Sequence, residues 1–156
     1  MQKKLQYREK KTPVKAEPYT ALADIYDRFM DYVDYRVWTD YVLVMCHKHG
    51  HPPGLILDAA CGTGAFLCEF AERGFTAYGC DRSFEMIKEA RTKLLNKSIK
   101  KKYNIVQADI TIPCFKGRFD TVFCMYDSMN YLPTIDRIVS AVRGIVSILD
   151  FNGVLI

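Results

Sequence analysis

The sequence holds no uninterrupted apolar run of the roughly 18 residues that a membrane-spanning helix needs. Its first residues, MQKKLQYREKKTPVK, are basic but have no apolar segment behind them, so they lack the layout of a secretory signal. The six cysteines, at 46, 61, 68, 80, 114 and 124, include no C-x-x-C pair. Most stand in apolar strand or helix contexts, where a thiol behaves as a small core residue. These absences describe a reduced, cytoplasmic protein with no membrane partner and no structural disulfide. No internal repeat and no low-complexity tract is visible. The chain also lacks a net charge on its body. Of its 22 basic and 18 acidic residues, six Lys/Arg and two Glu fall in residues 1–17, which leaves the rest balanced. The basicity therefore belongs to a solvated tail over 1–18, with a second cluster at Lys97, Lys100, Lys101 and Lys102. RNA contact through these lysines is the alternative to simple solvation.

What is present is one domain's worth of chain, 156 residues with 49% apolar composition, enough to bury a core. Residues 19–53 read as two helices. Leu22, Ile25, Tyr26 and Phe29 recur at helical spacing, as do Val37, Tyr41, Val44 and Met45, and Gly50 with Pro52-Pro53 ends the second helix. From residue 54 short apolar runs alternate with amphipathic stretches. GLILDA, FTAYGCD, YNIVQADI and RFDTVFCMYD predict buried parallel strands. AFLCEFAERG is a helix with Phe66, Leu67 and Phe70 inward and Gly74 capping its end. Ser83 caps the next helix, whose apolar positions are Met86, Ile87, Ala90, Leu94 and Leu95. Thr134 caps a third, with Ile135, Ile138, Val139, Val142, Ile145, Val146 and Leu149 apolar. Asn152-Gly153 reads as a turn, and GVLI as the start of a fifth strand. TIPCFKG is too short for a helix, so the third and fourth strands are joined by a loop. The fold class is α/β, a Rossmann-like, doubly wound and mostly parallel sheet of about five strands over 54–156, preceded by N-terminal helices.

Open sheets of this kind bind ligands beyond the carboxyl ends of their strands. Three acidic residues, Asp58, Asp81 and Asp109, stand at three successive strand ends. After the first strand, Gly62 and Gly64 open a turn in which backbone can approach a ligand closely. A dinucleotide site would need a third glycine where Leu67 stands. Asp58 would also repel a pyrophosphate, by about a kcal/mol or more at short range. A cofactor with a cationic end and no phosphate reverses that sign. S-adenosylmethionine is one. Asp58 could favour its amino-acid end, Asp81 could accept from both ribose hydroxyls, and Asp109 could accept from the adenine amine, with the Ile110 N–H facing a ring nitrogen.

The stretches DAACGTG (58–64), GCD (79–81), ADI (108–110) and FDTVFCMYD (119–127) together resemble the class I S-adenosylmethionine-dependent methyltransferases. DSMNYL (127–132) and the YDRFM and tryptophan region of 26–38 resemble a bacterial group of such enzymes with an N-terminal helical lid. The resemblance implies that Tyr26 and Trp38 lie over the cofactor and that Met125 and Tyr126 line its methionine side. It also implies that Ala60, Arg82 and Met86 belong to the binding set. Many members carry glycine where Ala60 stands. Family members usually have seven strands, so this sequence reads as lacking the C-terminal part, and its fifth strand as an edge open to self-association.

The function expected is methyl transfer from S-adenosyl-L-methionine to a small-molecule acceptor. Asp127, Asn130 and Tyr131 are the nearby candidates for a general base, with none singled out. A non-catalytic cofactor-binding module or partner subunit is the alternative, and a nicotinamide oxidoreductase is disfavoured by Leu67 and Asp58. His47, His49 and His51 alternate within CHKHGH; residues two apart on a helix share no face, so at least two of them point apart and no metal site is expected there. The many tyrosines and phenylalanines read mainly as core positions and less as base-stacking groups.

Overall fold

The computed structural model describes residues 22–97, 99 and 103–156. The basic tail and Lys100, Lys101 and Lys102 lie outside them; Lys97 lies within and pairs with Glu72 at 2.7 Å. Two helices come first, α1 (Ala23–Phe29) and α2 (Tyr35–Lys48). Then follow β1 (Leu55–Ala59), α3 (Ala65–Glu72), β2 (Thr76–Asp81), α4 (Phe84–Asn96), β3 (Tyr103–Gln107), β4 (Phe119–Phe123), α5 (Ile135–Ile148) and β5 (Leu149–Leu155). A 3₁₀ turn at Ser128–Tyr131 precedes α5. The strands pair in the order β3-β2-β1-β4-β5, all parallel. The chain therefore crosses outward from β1 in both directions, and the switch point lies between β1 and β4, where this class of sheet opens a ligand crevice. No helix joins β3 to β4, as the short TIPCFKG segment dictates.

Both faces of the sheet are covered, which is why its strands are apolar without alternation. On one face Ile56, Ala77, Ile105 and Phe123 pack under Phe66, Leu67 and Phe70 of α3, Ile87, Ala90 and Leu94 of α4, and Val42 and Cys46 of α2. On the other, Leu57, Ala59, Cys80, Phe119 and Val122 meet Ile145 and Ile148 of α5, with Cys114 and Phe115 of the β3–β4 loop alongside. The caps read from the sequence are in place: Ser83 Oγ accepts from Met86 N, and Thr134 Oγ1 accepts from Arg137 N. Gly74 adopts φ +93° beyond the end of α3.

Five expectations change. α2 buries Thr39, Val42 and Cys46, whereas Val37, Tyr41 and Val44 are exposed. The reason lies in Thr39, whose hydroxyl donates to the Tyr35 carbonyl at 2.8 Å. With its polar atom satisfied inside the helix, threonine packs as a β-branched core residue. α1 is mostly a surface helix, with only Ala23 fully buried and Phe29 63% exposed. Along α5, Ile145 is buried while Ile135, Val139, Val142 and Val146 are exposed, because the helix carries more apolar positions than one sheet face can cover. Leu95 of α4 likewise faces out. The Asn152-Gly153 turn is absorbed into β5. Phe119 pairs with Leu149 but Thr121 pairs with Val154, so the residues between Leu149 and Val154 bulge from the ladder. Gly153 permits this, since a Cβ there would stand 3.0 Å from the Phe119 carbonyl oxygen.

Candidate cofactor-binding site

At the carboxyl ends of β1, β2 and β3 the chain forms an open cleft. Its floor is Asp58, Ala60 and Gly62; one side is Asp81, Arg82, Ser83 and Met86, and beyond them lie Ala108, Asp109 and Ile110. The opposite wall is Met125, Tyr126, Ser128, Tyr131 and Leu132, roofed by Tyr26 and Tyr35.

The glycine loop is folded by its own sequence. Cys61 N donates to the Cys80 carbonyl and Gly64 N to the Cys61 carbonyl, both at 2.9 Å. Ala60, Gly62 and Gly64 all take left-handed φ, at +69°, +52° and +74°. Around Gly62 nothing lies within 4 Å of a would-be Cβ, so its missing side chain faces open space in the cleft. Gly64 has a different role from the one expected. It caps α3 and does not line the cleft; a Cβ there would come 2.9 Å from the Ala90 Cβ. Its glycine is needed for α3 to approach α4. Ala60 bears a Cβ where the backbone disfavours one. Ala60→Gly is therefore expected to raise the unfolding free energy by up to about 1 kcal/mol in chemical denaturation, and a loss of stability would contradict the assignment of strain to this residue.

Asp81 ties the loop to the next helix. One carboxylate oxygen accepts from Gly62 N at 2.9 Å and the other from Ser83 N at 2.8 Å. Burial raises its pKa, and these N–H donors oppose the rise. Asp58 is fully buried with its Oδ2 lacking any partner among the described residues. Burial, and then the charge of Asp81, push its pKa well above the usual carboxylate range. Asp109 is committed further than the sequence suggested. Oδ1 accepts from Thr111 N at 2.9 Å and from Thr111 Oγ1 at 2.7 Å, and Oδ2 is paired with Arg137 of α5. Burial works to raise its pKa but is outweighed by these donors, so the group is held below its ordinary value. An adenine amine would join an occupied carboxylate.

The roof corrects one assignment and adds others. Trp38 does not line the cleft. Its ring stands edge-on behind Tyr126, 6.0 Å between centroids. Tyr35, three residues earlier on α2, is the aromatic that enters, edge-on to Phe66 at 5.2 Å and to Tyr126 at 6.0 Å. Burial above all raises the phenols of Tyr26 and Tyr35, so both are neutral near pH 7. Tyr126 and Asp127 hold consecutive left-handed φ of +53° and +57° without being glycine, a strained turn that brings the Tyr126 ring to the cleft. Asp127 is exposed and accepts from Asn130 Nδ2 at 3.2 Å; of the three general-base candidates only Tyr131 lines the cleft. Of the three histidines, His51 has its Nε2 3.0 Å from the Asp120 carbonyl. Among the described residues no three potential ligands gather around a metal-sized space, and no helix is long and apolar enough to cross a membrane.

A buried carboxylate without a partner calls for a cationic donor. The Gly62 opening suits a ligand held against backbone, and Asp81 is a carboxylate fixed at the end of a parallel strand by two backbone N–H donors. A pyrophosphate fits poorly, since Asp58 is at the floor and Asp27 bonds Thr63 of the glycine loop at 2.6 Å. This fold and this cleft suit a cationic nucleoside cofactor, and S-adenosylmethionine fits the residues present.

Comparison with known proteins agrees. Residues 56–153 match the family described as Methyltransferase domain. The Bacillus subtilis protein YqeM, whose own methyltransferase name is provisional, is 33% identical over 139 residues, covering 88% of this chain and 53% of YqeM. The Streptomyces venezuelae dTDP-3-amino-3,4,6-trideoxy-alpha-D-glucopyranose N,N-dimethyltransferase is 27% identical over 138 residues, 86% of this chain and 55% of that protein. The crystal structure of an S-adenosylmethionine-dependent methyltransferase from Clostridium acetobutylicum superposes with a TM-score of 0.76 at 28% identity, covering 89% of this chain and 56% of that one. The chain thus belongs to the S-adenosylmethionine-dependent methyltransferase family. It spans about half the length of the relatives it matches.

Proposed function

We propose that this chain binds S-adenosylmethionine in the cleft and serves transfer of its methyl group to a small-molecule acceptor. The observation that carries the reading is the buried, unpartnered Asp58 carboxylate beside Asp81 at the strand ends. When bound, the cofactor supplies an electrophilic methyl on a sulfonium leaving group. The chain's own residues bind and orient. Asp58 takes the ammonium, Asp81 accepts from the ribose hydroxyls, Met86 and Ile110 pack the base, and the Ile110 N–H and Asp109 face its polar edge. Tyr26, Tyr35 and Tyr126 exclude water from the methionine end. Amine-bearing small molecules are the first acceptors to try, because the Streptomyces relative acts on an amino sugar and a human relative, 29% identical over 136 residues, is a glycine N-methyltransferase. The outer edge of β5 is where a further strand would pair, from a second copy or from more chain.

Calorimetric titration with S-adenosylhomocysteine and, separately, with NAD tests the cofactor assignment. Saturable heat with the first and none with the second is the expected result. A folded chain that binds NAD, or neither compound, would overturn it.

A further inference from the structure

Three side chains from three separate parts of the chain meet at the margin of the cleft, which Thr63 lines and Asp27 and Lys93 adjoin from outside. Asp27 of α1 follows Tyr26, which roofs the cleft. Thr63 lies in the glycine loop between Gly62 and Gly64 and is 2% exposed. Lys93 stands on α4, seven residues after Met86, so both share a helix face. The Thr63 hydroxyl donates to Asp27 Oδ1 at 2.6 Å. The Lys93 ammonium donates to Asp27 Oδ1 at 2.9 Å, approaches Oδ2 at 2.7 Å, and also donates to Thr63 Oγ1 at 3.1 Å.

We propose that Asp27, Thr63 and Lys93 form a clasp that holds α1 against the glycine loop and so positions Tyr26 over the cleft. The inference rests on the cofactor reading for its consequence, though the clasp itself does not. Three observations argue for it. α1 has seven residues, too few to be stable as an isolated helix, and buries only Ala23 fully. Its placement must come from contacts with the body, and apolar burial supplies little of that. The clasp also reaches the element that contacts the ligand. Thr63 is flanked by Gly62, whose N–H is held by Asp81, so a pull on Asp27 is transmitted to the ribose acceptor through two hydrogen bonds. Finally, one face of α4 meets the cleft, the glycine loop and α1 in turn. Met86 lines the cleft, Ala90 admits Gly64, and Lys93 closes on Thr63 and Asp27.

The three are positioning residues, acting through Tyr26 and the glycine loop, and are not catalytic. Asp27 and Lys93 are partly open to solvent, so the clasp is modest in strength and reversible, as a gate over a cofactor site requires.

The test uses the full chain and two independent readouts. Hydrogen exchange of the α1 amides is followed without ligand in wild type, Asp27→Asn, Lys93→Met and the charge reversal Asp27→Lys with Lys93→Asp. Release of S-adenosylhomocysteine is followed by stopped flow in the same four. The single changes are expected to speed α1 exchange while leaving β1 and β4 protected, and to speed ligand release about three- to tenfold. The reversal is expected to recover most of both effects, which a generally weakened fold would not do. Unchanged α1 exchange in both single variants overturns the clasp, as does faster release without faster α1 exchange. Failure of the wild type to bind S-adenosylhomocysteine would count against the cofactor reading, and the exchange experiment would still decide the clasp.

Discussion

Asp58→Asn is expected to make the ligand-free chain more stable at neutral pH and to weaken S-adenosylhomocysteine binding about ten- to a hundredfold. Both effects follow from one buried carboxylate with an oxygen that nothing in the described chain satisfies. Burial raises its folded pKa well above the ordinary value of 3.8. The folded chain therefore holds this proton more tightly than the unfolded chain does. The resulting penalty is absent below the ordinary value and grows as pH climbs through the raised one. Asparagine has nearly the same shape and no charge to bury. The variant's advantage in chemical denaturation should be small near pH 4 and reach about 1–3 kcal/mol at pH 7. Binding moves the other way, because an amide cannot replace a carboxylate opposite an ammonium. In the wild type, affinity should fall as acid protonates Asp58, and binding near the raised pKa should release a proton, measurable as a dependence of the binding heat on buffer. A variant less stable than wild type at pH 7, or one that binds equally well, would sink the assignment.

Asp81→Ala is expected to reduce affinity about a thousandfold or beyond measurement. Two losses combine. The carboxylate no longer accepts from ligand hydroxyls, each charge-assisted bond being worth about 1.5–3 kcal/mol. The Gly62 and Ser83 N–H groups also lose the acceptor that fixes the loop and the start of α4. A ligand cycle separates these contributions. Wild type should strongly prefer S-adenosylhomocysteine over its 2′-deoxy analogue. Asp81→Ala should bind the two alike, and Asp81→Asn should fall between. If the alanine variant still discriminated as wild type does, Asp81 would be a loop brace and some other group the ribose acceptor.

The cleft was legible where strand chemistry decides it. Asp58 and Asp81 end strands whose apolar runs are unmistakable, and Asp109 follows the third by two residues. The glycine loop reads from spacing alone. What the sequence hides is rotation. On α2 the stripe Val37–Tyr41–Val44 is more apolar than Thr39–Val42–Cys46, yet the second is buried, because Thr39 satisfies its own hydroxyl on the Tyr35 carbonyl. The same rotation decides that Tyr35 enters the cleft and Trp38 stands behind Tyr126. Gly64 was misplaced for a related reason. A glycine that lets two helices touch looks, in sequence, like one that lets a ligand touch. The Arg137 partner of Asp109 was equally hidden, since it comes from a helix two elements later.

The all-parallel order β3-β2-β1-β4-β5 has a kinetic consequence. No two neighbouring strands are joined by a hairpin, so every pairing closes a long loop before it is rewarded. The cleft draws on residues from Tyr26 to Leu132, and Tyr26 and Tyr131 reach it from opposite ends of that span. It is completed only when the slowest of those closures is complete. A ligand that fits the finished cleft should find nothing to hold on the partly folded chain, so it should slow unfolding while leaving the refolding rate almost unchanged.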